Sequence, residues 1–170
     1  MDNLTSFLRV ARPLLVGRQW LGDGGREVQV LENPSTGEPF AKVFVADERD
    51  VDAAVAAARA AFDEGVWRHL PGDQRSRVLW RIADAIDANV EELARLESLN
   101  TGKSFVVCRD AEIPFAAQCF RFFAGYCTKI EGRTLTPSGL PPEEFQASTR
   151  PEPVGVAALL VPWNGPLVQA

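Results

Sequence analysis

The residues best suited by type to do chemistry lie in the stretch PVGVAALLVPWNGPLVQA, which runs from Pro153 to Ala170. Trp163, Asn164 and Gly165 set an indole, a carboxamide and a glycine turn directly after an apolar run, between Pro162 and Pro166. Open α/β sheets take their ligands at the carboxyl ends of strands, so Asn164 is the first candidate for chemistry. His69 is the sole histidine and sits in a predicted loop over 67–71 with no second ligand near it, which reads as a surface or capping residue. Cys108, Cys119 and Cys127 fall in one predicted helical region without CxxC spacing. They read as buried thiols in a reducing compartment, and no metal site is predicted.

A loop at Asn164 needs elements to hold it. Residues 154–161 are small, β-branched and apolar between two prolines, the pattern of a strand buried on both faces of a parallel sheet. Upstream, 14–21 and 27–31 are β-prone runs separated by Gly22-Asp23-Gly24-Gly25, which suggests a hairpin. A second turn over 33–37 and a third strand over 40–46 complete a small antiparallel entry sheet.

Asp47 can cap the next helix, with Asp50 favourable for its dipole. There Val51, Ala54, Val55, Ala58 and Phe62 form a stripe expected to pack inward, and Gly65 ends it. Residues 74–88 repeat the helical pattern with Val78, Ile82, Ala85 and Ile86. Asn89 and Glu92 have capping-box spacing ahead of a helix over 90–99, which 100–102 closes. The segment 104–130 is mostly helical, and Pro114 should start or kink a helix there. Phe115, Cys119, Phe122, Phe123 and Tyr126 give it an aromatic face that reads chiefly as core packing. A Pro- and Gly-rich loop over 132–142 and a strand over 144–150 follow.

Composition narrows the function. The chain of 170 residues is 46% hydrophobic and 24% charged, a globular balance. Its net charge of -5 argues against nucleic acid as a partner, and Arg75, Arg77 and Arg81 read as a solvated helix face beside Asp73 and Asp84. No apolar run reaches the roughly 18 residues needed to span a bilayer, so no membrane association is expected. The arginines in 7–16 faintly suggest a transit peptide, but Asp2 and scarce serine count against it, and the cytoplasm is the expected compartment.

The loop Pro162-Trp163-Asn164-Gly165-Pro166 resembles the PWN loop of the aldehyde dehydrogenase superfamily, and other stretches resemble that family in the same order. They are Asn33-Pro34-Ser35-Thr36-Gly37-Glu38, the alanine-rich 50–62, ESLNTGK at 97–103, and Phe122-Phe123-Ala124-Gly125-Tyr126. Gln118-Cys119 looks superficially like the family's nucleophile segment, but its surroundings belong to the helix before the PWN strand. The resemblance implies an α/β fold: the N-terminal, incomplete part of the aldehyde dehydrogenase architecture. Residues 1–131 would be strands and helices of the cofactor domain, 132–152 an oligomerisation hairpin, and 153–170 the first strand of the Rossmann-like sheet with its loop, the catalytic domain being absent. A projecting edge strand must be paired, so a homo-oligomer is expected.

By the same resemblance a cysteine thiolate attacks an aldehyde, the adduct gives hydride to NAD or NADP, and water activated by a glutamate releases the acid. Asn164 would donate its N–H to the oxyanion. Main-chain groups of Val161, Pro162 and Trp163 would lie against the cofactor, although no GxGxxG follows the strand. Phe115 would line the aldehyde tunnel, and Gly165, where the family often has an aromatic, would widen it. The family's nucleophilic Cys, base Glu, ribose-binding Lys and phosphate-binding Gly match positions beyond Ala170, so this chain alone is expected to be inactive. Only nine residues follow Val161, too few for the crossover to a parallel neighbour. A non-catalytic truncated paralogue serving as an interaction subunit is the alternative.

Overall fold

The computed structural model describes residues 8–169; residues 1–7, with Asp2, and Ala170 lie outside the described residues. Strands β1 (Leu14–Val16) and β2 (Gln19–Leu21) pair antiparallel, and β3 (Val28–Glu32) pairs with β4 (Pro39–Phe44). The expected hairpin between 14–21 and 27–31 is therefore corrected. Gly17, at a φ of 59°, lets the first run fold back on itself, and the β3–β4 turn is the Asn33 to Glu38 segment. There the Asn33 side-chain oxygen accepts from Ser35 N at 2.9 Å, its carbonyl accepts from Gly37 N at 2.7 Å, and Gly37 has a φ of 73°. That is an Asx turn closed by a left-handed glycine.

Helix α1 (Glu48–Glu64) starts in a reciprocal capping box between Asp47 and Asp50. Asp50 is buried and also accepts two hydrogen bonds from Arg26, at 2.9 Å and 2.6 Å. The same guanidinium donates to Gly22 O at 2.8 Å, so the glycine-rich turn is fastened to the start of α1. The bidentate Arg26 holds the Asp50 carboxyl below the ordinary carboxylate range. The expected inward stripe of α1 is not formed. Val51 and Val55 are exposed, Ala57 meets the Gly17 turn, and Phe62 lies under Arg68 and Arg59. No other described element covers that face. Gly65 ends the helix at a φ of 75°, and the His69 ring packs over it, a structural role.

The core lies between α2 (Gly72–Ala88), α3 (Val90–Thr101) and α5 (Ile113–Tyr126), preceded by a one-turn α4 (Phe105–Val107) and a π-helical turn (Cys108–Glu112). Ala83, Ile86, Ala94, Cys108, Ile113 and Ala117 form it, with Val90, Leu93, Phe105 and Phe120 around them. The inward stripe of α2 therefore runs through Ala83 and Ile86, while Ile82 and Ala85 stay exposed. Small residues win these positions because α2 and α5 pack closely: a Cβ on Gly72 would meet Cys127 O at 2.4 Å. Asn89 does not cap α3; its side-chain amide donates to Ala85 O at 2.7 Å and closes α2. Gly102 closes α3 at a φ of 76°.

The aromatic face of α5 is corrected as well. Phe122, Phe123 and Tyr126 are exposed and stack on one another with centroids 5.1–6.5 Å apart, while Ile113, Ala116, Ala117 and Ala124 face the core. Strands β5 (Thr134–Leu135) and β6 (Ala147–Ser148) form the expected hairpin, far shorter than a strand over 144–150. Prolines at 141, 142, 151 and 153 supply no N–H for a longer ladder. Residues 154–161 form no strand. Val154, Leu159 and Leu160 are 91%, 72% and 96% exposed, because the described sheets are three separate pairs and none lies beside this run. A strand-prone sequence makes a strand only where a ladder is offered to it.

Candidate functional site

The site grows from the C-terminus of α3. Gly102, free of a side chain and left-handed, turns the chain against Pro34, whose Cγ would lie 3.0 Å from any added Cβ. The Asn33 to Glu38 turn and the ESLNTGK stretch are thereby brought together. The next residue, Lys103, points its ammonium between the carboxylates of Glu97, at 3.0 Å, and Glu112, in a short ion pair. Glu97 is buried in α3, and Glu112 ends the π turn before Pro114. The π turn holds one residue more than an α-turn, which swings Glu112 by about 100° relative to a regular helix. Burial alone would lower the Lys103 pKa, but the hydrogen bonds its ammonium donates to Glu112 and Glu97 outweigh it and raise it above an ordinary lysine.

The third donor site of Lys103 is used on the Asn164 loop: its Nζ donates to Asn164 O at 2.9 Å. The main chain of Asn164 is thus held from the α3 side, while its side chain is exposed and its carboxamide makes no hydrogen bond to another described residue. Gly165 is buried beneath it, and Gln169 N donates to Gly165 O at 3.2 Å to close α6 (Pro166–Gln169). Leu167 packs on the core. An open pocket of about 310 Å³ remains between α3 and α6, lined by Leu93, Leu96, Glu97, Asn100, Pro166 and Leu167.

A neutral carboxamide presented in this way can donate an N–H to a developing negative charge without itself titrating. Val161, Pro162 and Trp163 precede it, exposed, with no backbone hydrogen bond to another described residue. Their carbonyls can accept from hydroxyl or amide groups of a ligand. Phe115 is 54% exposed, two residues past the buried Ile113 that packs against the core.

The cysteines differ in kind. Cys108 is fully buried, with its thiol pushed up by burial and then by Glu112, the setting of a structural cysteine. Cys119 and Cys127 are half-buried, which corrects the expectation of three buried thiols. Among the described residues no group of His, Cys, Asp and Glu could hold a metal ion, and no helix is long and apolar enough to cross a membrane. Asn164 stands out from its own loop, whereas nothing in the residue pattern assigns a role to Lys103, Glu97 and Glu112. Glu97 carries a signal in hindsight, since a carboxylate buried in a helix needs a cation, whereas the reach of Glu112 depends on a π turn with no sequence mark.

The model of the aldehyde dehydrogenase family matches residues 20–170. Phenylacetaldehyde dehydrogenase of Pseudomonas fluorescens is 41% identical over 165 residues, which cover 96% of this chain and 33% of that protein. Aldehyde dehydrogenase family 2 member B4, mitochondrial, of Arabidopsis thaliana is 45% identical over 155 residues, 91% of this chain and 28% of that protein. The NAD+ complex of an aldehyde dehydrogenase from Bacillus cereus superposes with a TM-score of 0.89 at 36% identity, covering 99% of this chain and 33% of that one. The chain spans about a third of the length of these relatives. With the family model matched over most of its length and a carboxamide loop presented on a helical layer of the same architecture, the chain belongs to the aldehyde dehydrogenase family, as a part of that fold.

Proposed function

We propose that this chain is the N-terminal part of an NAD- or NADP-dependent aldehyde dehydrogenase that oxidises an aldehyde to the carboxylic acid through a cysteine thiohemiacetal. The carrying observation is the Asn164 carboxamide, exposed and without a hydrogen bond to another described residue, on a main chain fixed by Lys103. In this reading the Asn164 N–H stabilises the thiohemiacetal oxyanion, and the nucleophilic Cys and base Glu belong to the rest of the family fold. The carbonyls of Val161, Pro162 and Trp163 orient the dinucleotide, which when bound supplies the hydride acceptor. Phe115 borders the aldehyde path and Gly165 leaves it wide. The divisions at 131/132 and 152/153 separate the N-terminal strands and helices, the hairpin, and the run that would supply the first cofactor-domain strand in the complete fold. The hairpin pairs with further copies of the chain, and unpaired cysteines suit a reducing, cytoplasmic setting.

The test is the complete protein with NAD+ or NADP+ and a panel of aldehydes, followed by cofactor absorbance and acid formation. Asn164→Ala should lower kcat about 100- to 1,000-fold with the fold intact. Absence of cofactor reduction by the complete protein, or an undiminished kcat in the variant, defeats the reading. A second reading, a non-catalytic interaction subunit, is supported by the exposed apolar run 154–161 and predicts co-purification with a longer family member at fixed stoichiometry.

A further inference from the structure

We propose that Lys103 is a positioning residue: clamped between Glu97 and Glu112, its ammonium fixes the Asn164 main chain so that the carboxamide is presented at a set angle and depth. The inference rests on the reading of Asn164 as oxyanion donor. It is carried by geometry that joins three parts of the chain. Lys103 is only a quarter exposed, Glu97 almost wholly buried, and a cation in that position has three donors, all of them used: Glu97, Glu112 and Asn164 O.

The rest of the loop's seat is weak. The helix after Asn164 has only four residues, and the open pocket lies between it and α3. Val154 to Trp163 contributes no backbone pairing that would hold the loop from its other end. The Lys103 contact therefore decides where Asn164 sits, with Leu167 the apolar anchor behind it. The two carboxylates explain why a lysine can stay charged there. They also fix its direction, since an ammonium pinned on two sides has one donor left to aim. Pro34 against Gly102 sets where Lys103 leaves α3.

A misplacement of about 1 Å in a catalytic donor can cost on the order of 100-fold in rate. In the complete enzyme, Lys103→Met is expected to lower kcat about 10- to 100-fold with little change in KM, and Lys103→Arg to recover most of it. The decisive measurement is the double variant. If Lys103 acts through Asn164, Lys103→Met should change kcat less than about twofold in an Asn164→Ala background. Equal losses in both backgrounds, or an unchanged kcat in Lys103→Met, overturn the positioning role while leaving Asn164 as donor. An undiminished kcat in Asn164→Ala alone overturns the donor reading and this proposal with it.

Amide hydrogen exchange in this chain separates local from global effects. Lys103→Met should speed exchange over 165–169 and leave 113–126 protected. Should 113–126 also open, Glu112→Gln, which leaves Lys103 paired with Glu97, takes its place in the same cycle. There the same non-additivity with Asn164→Ala is expected, and additive losses overturn the proposal.

Discussion

Among the described residues Ile113 is the largest fully buried side chain, 1% exposed, and stands where the π turn gives way to α5. Its neighbours in the core are mostly alanines, with Ile86 and Cys108. Ile113→Ala removes three carbons, worth about 2.4 kcal/mol at about 0.8 kcal/mol per buried methylene. A cavity that does not collapse adds up to about 2 kcal/mol. Collapse is partial here: the alanines have no side chain to swing into the gap and the helix backbones are already in close contact, so only the partly buried Leu93, Phe105 and Phe120 at the rim can shift toward it. The expected loss is therefore about 3–4 kcal/mol, or about 6–16 °C in Tm for a chain of this size. Urea unfolding of the two variants Ile113→Ala and Ile82→Ala checks it. Ile82 is 37% exposed on α2 and should cost less than about 1 kcal/mol. Equal losses at the two sites, or a loss below about 1 kcal/mol at Ile113, would refute the account of where the core lies.

Two further outcomes follow from local geometry. The Asp50 carboxyl is held low chiefly by its hydrogen bond from Arg26, so its contribution is present above the ordinary carboxylate pKa and is lost as pH falls through the lower folded value. Acid titrations monitored by circular dichroism should show Asp50→Asn less stable than wild type at neutral pH, with the difference shrinking below about pH 4. A gap that persists through that window would mean that the charge is not the source. A Cβ on Gly132 would lie 1.9 Å from Thr149 O, beside the pairs that join Arg133 to Thr149 at 2.8 Å and 2.9 Å. Gly132→Ala should expose β5 and β6 to amide exchange and, on the oligomer reading, shift light scattering toward monomer while the α2–α5 core stays protected. Unchanged exchange in the hairpin would refute it.

What the sequence makes legible depends on how local its cause is. The Asn33 to Glu38 turn, the Asp47 cap, and the glycines at 65 and 102 are each decided within a few residues, and the structure forms each of them. The faces of the helices are not local. Val55 on α1 and Phe122 on α5 have the right spacing to be buried, yet both are exposed, since periodicity says that a face exists and nothing about what meets it. The same holds for 154–161, whose composition calls for a ladder that no described strand supplies. Asn164 was legible from its loop, whereas Lys103, 61 residues away in sequence, became part of its site only through the fold.

The exposed apolar faces and the clamped lysine bear on one question, namely what fixes the main chain at Asn164 when the run before it has no ladder. A loop anchored by packing alone would share the fate of the run before it, whose Leu159 and Leu160 stay largely exposed. Lys103 needs no apolar neighbour. Its partners are Glu97 and Glu112, both on the helical layer, so its hold on Asn164 O is set by the same packing that buries Ile113 and Cys108. The loop's position is in that sense a property of the helical core. A change that loosens α5 against α3 should therefore reach Asn164 through Glu112 before it reaches it through any apolar contact, and the order of amide opening in Ile113→Ala, 165–169 together with 108–112 and ahead of 72–88, would display that route.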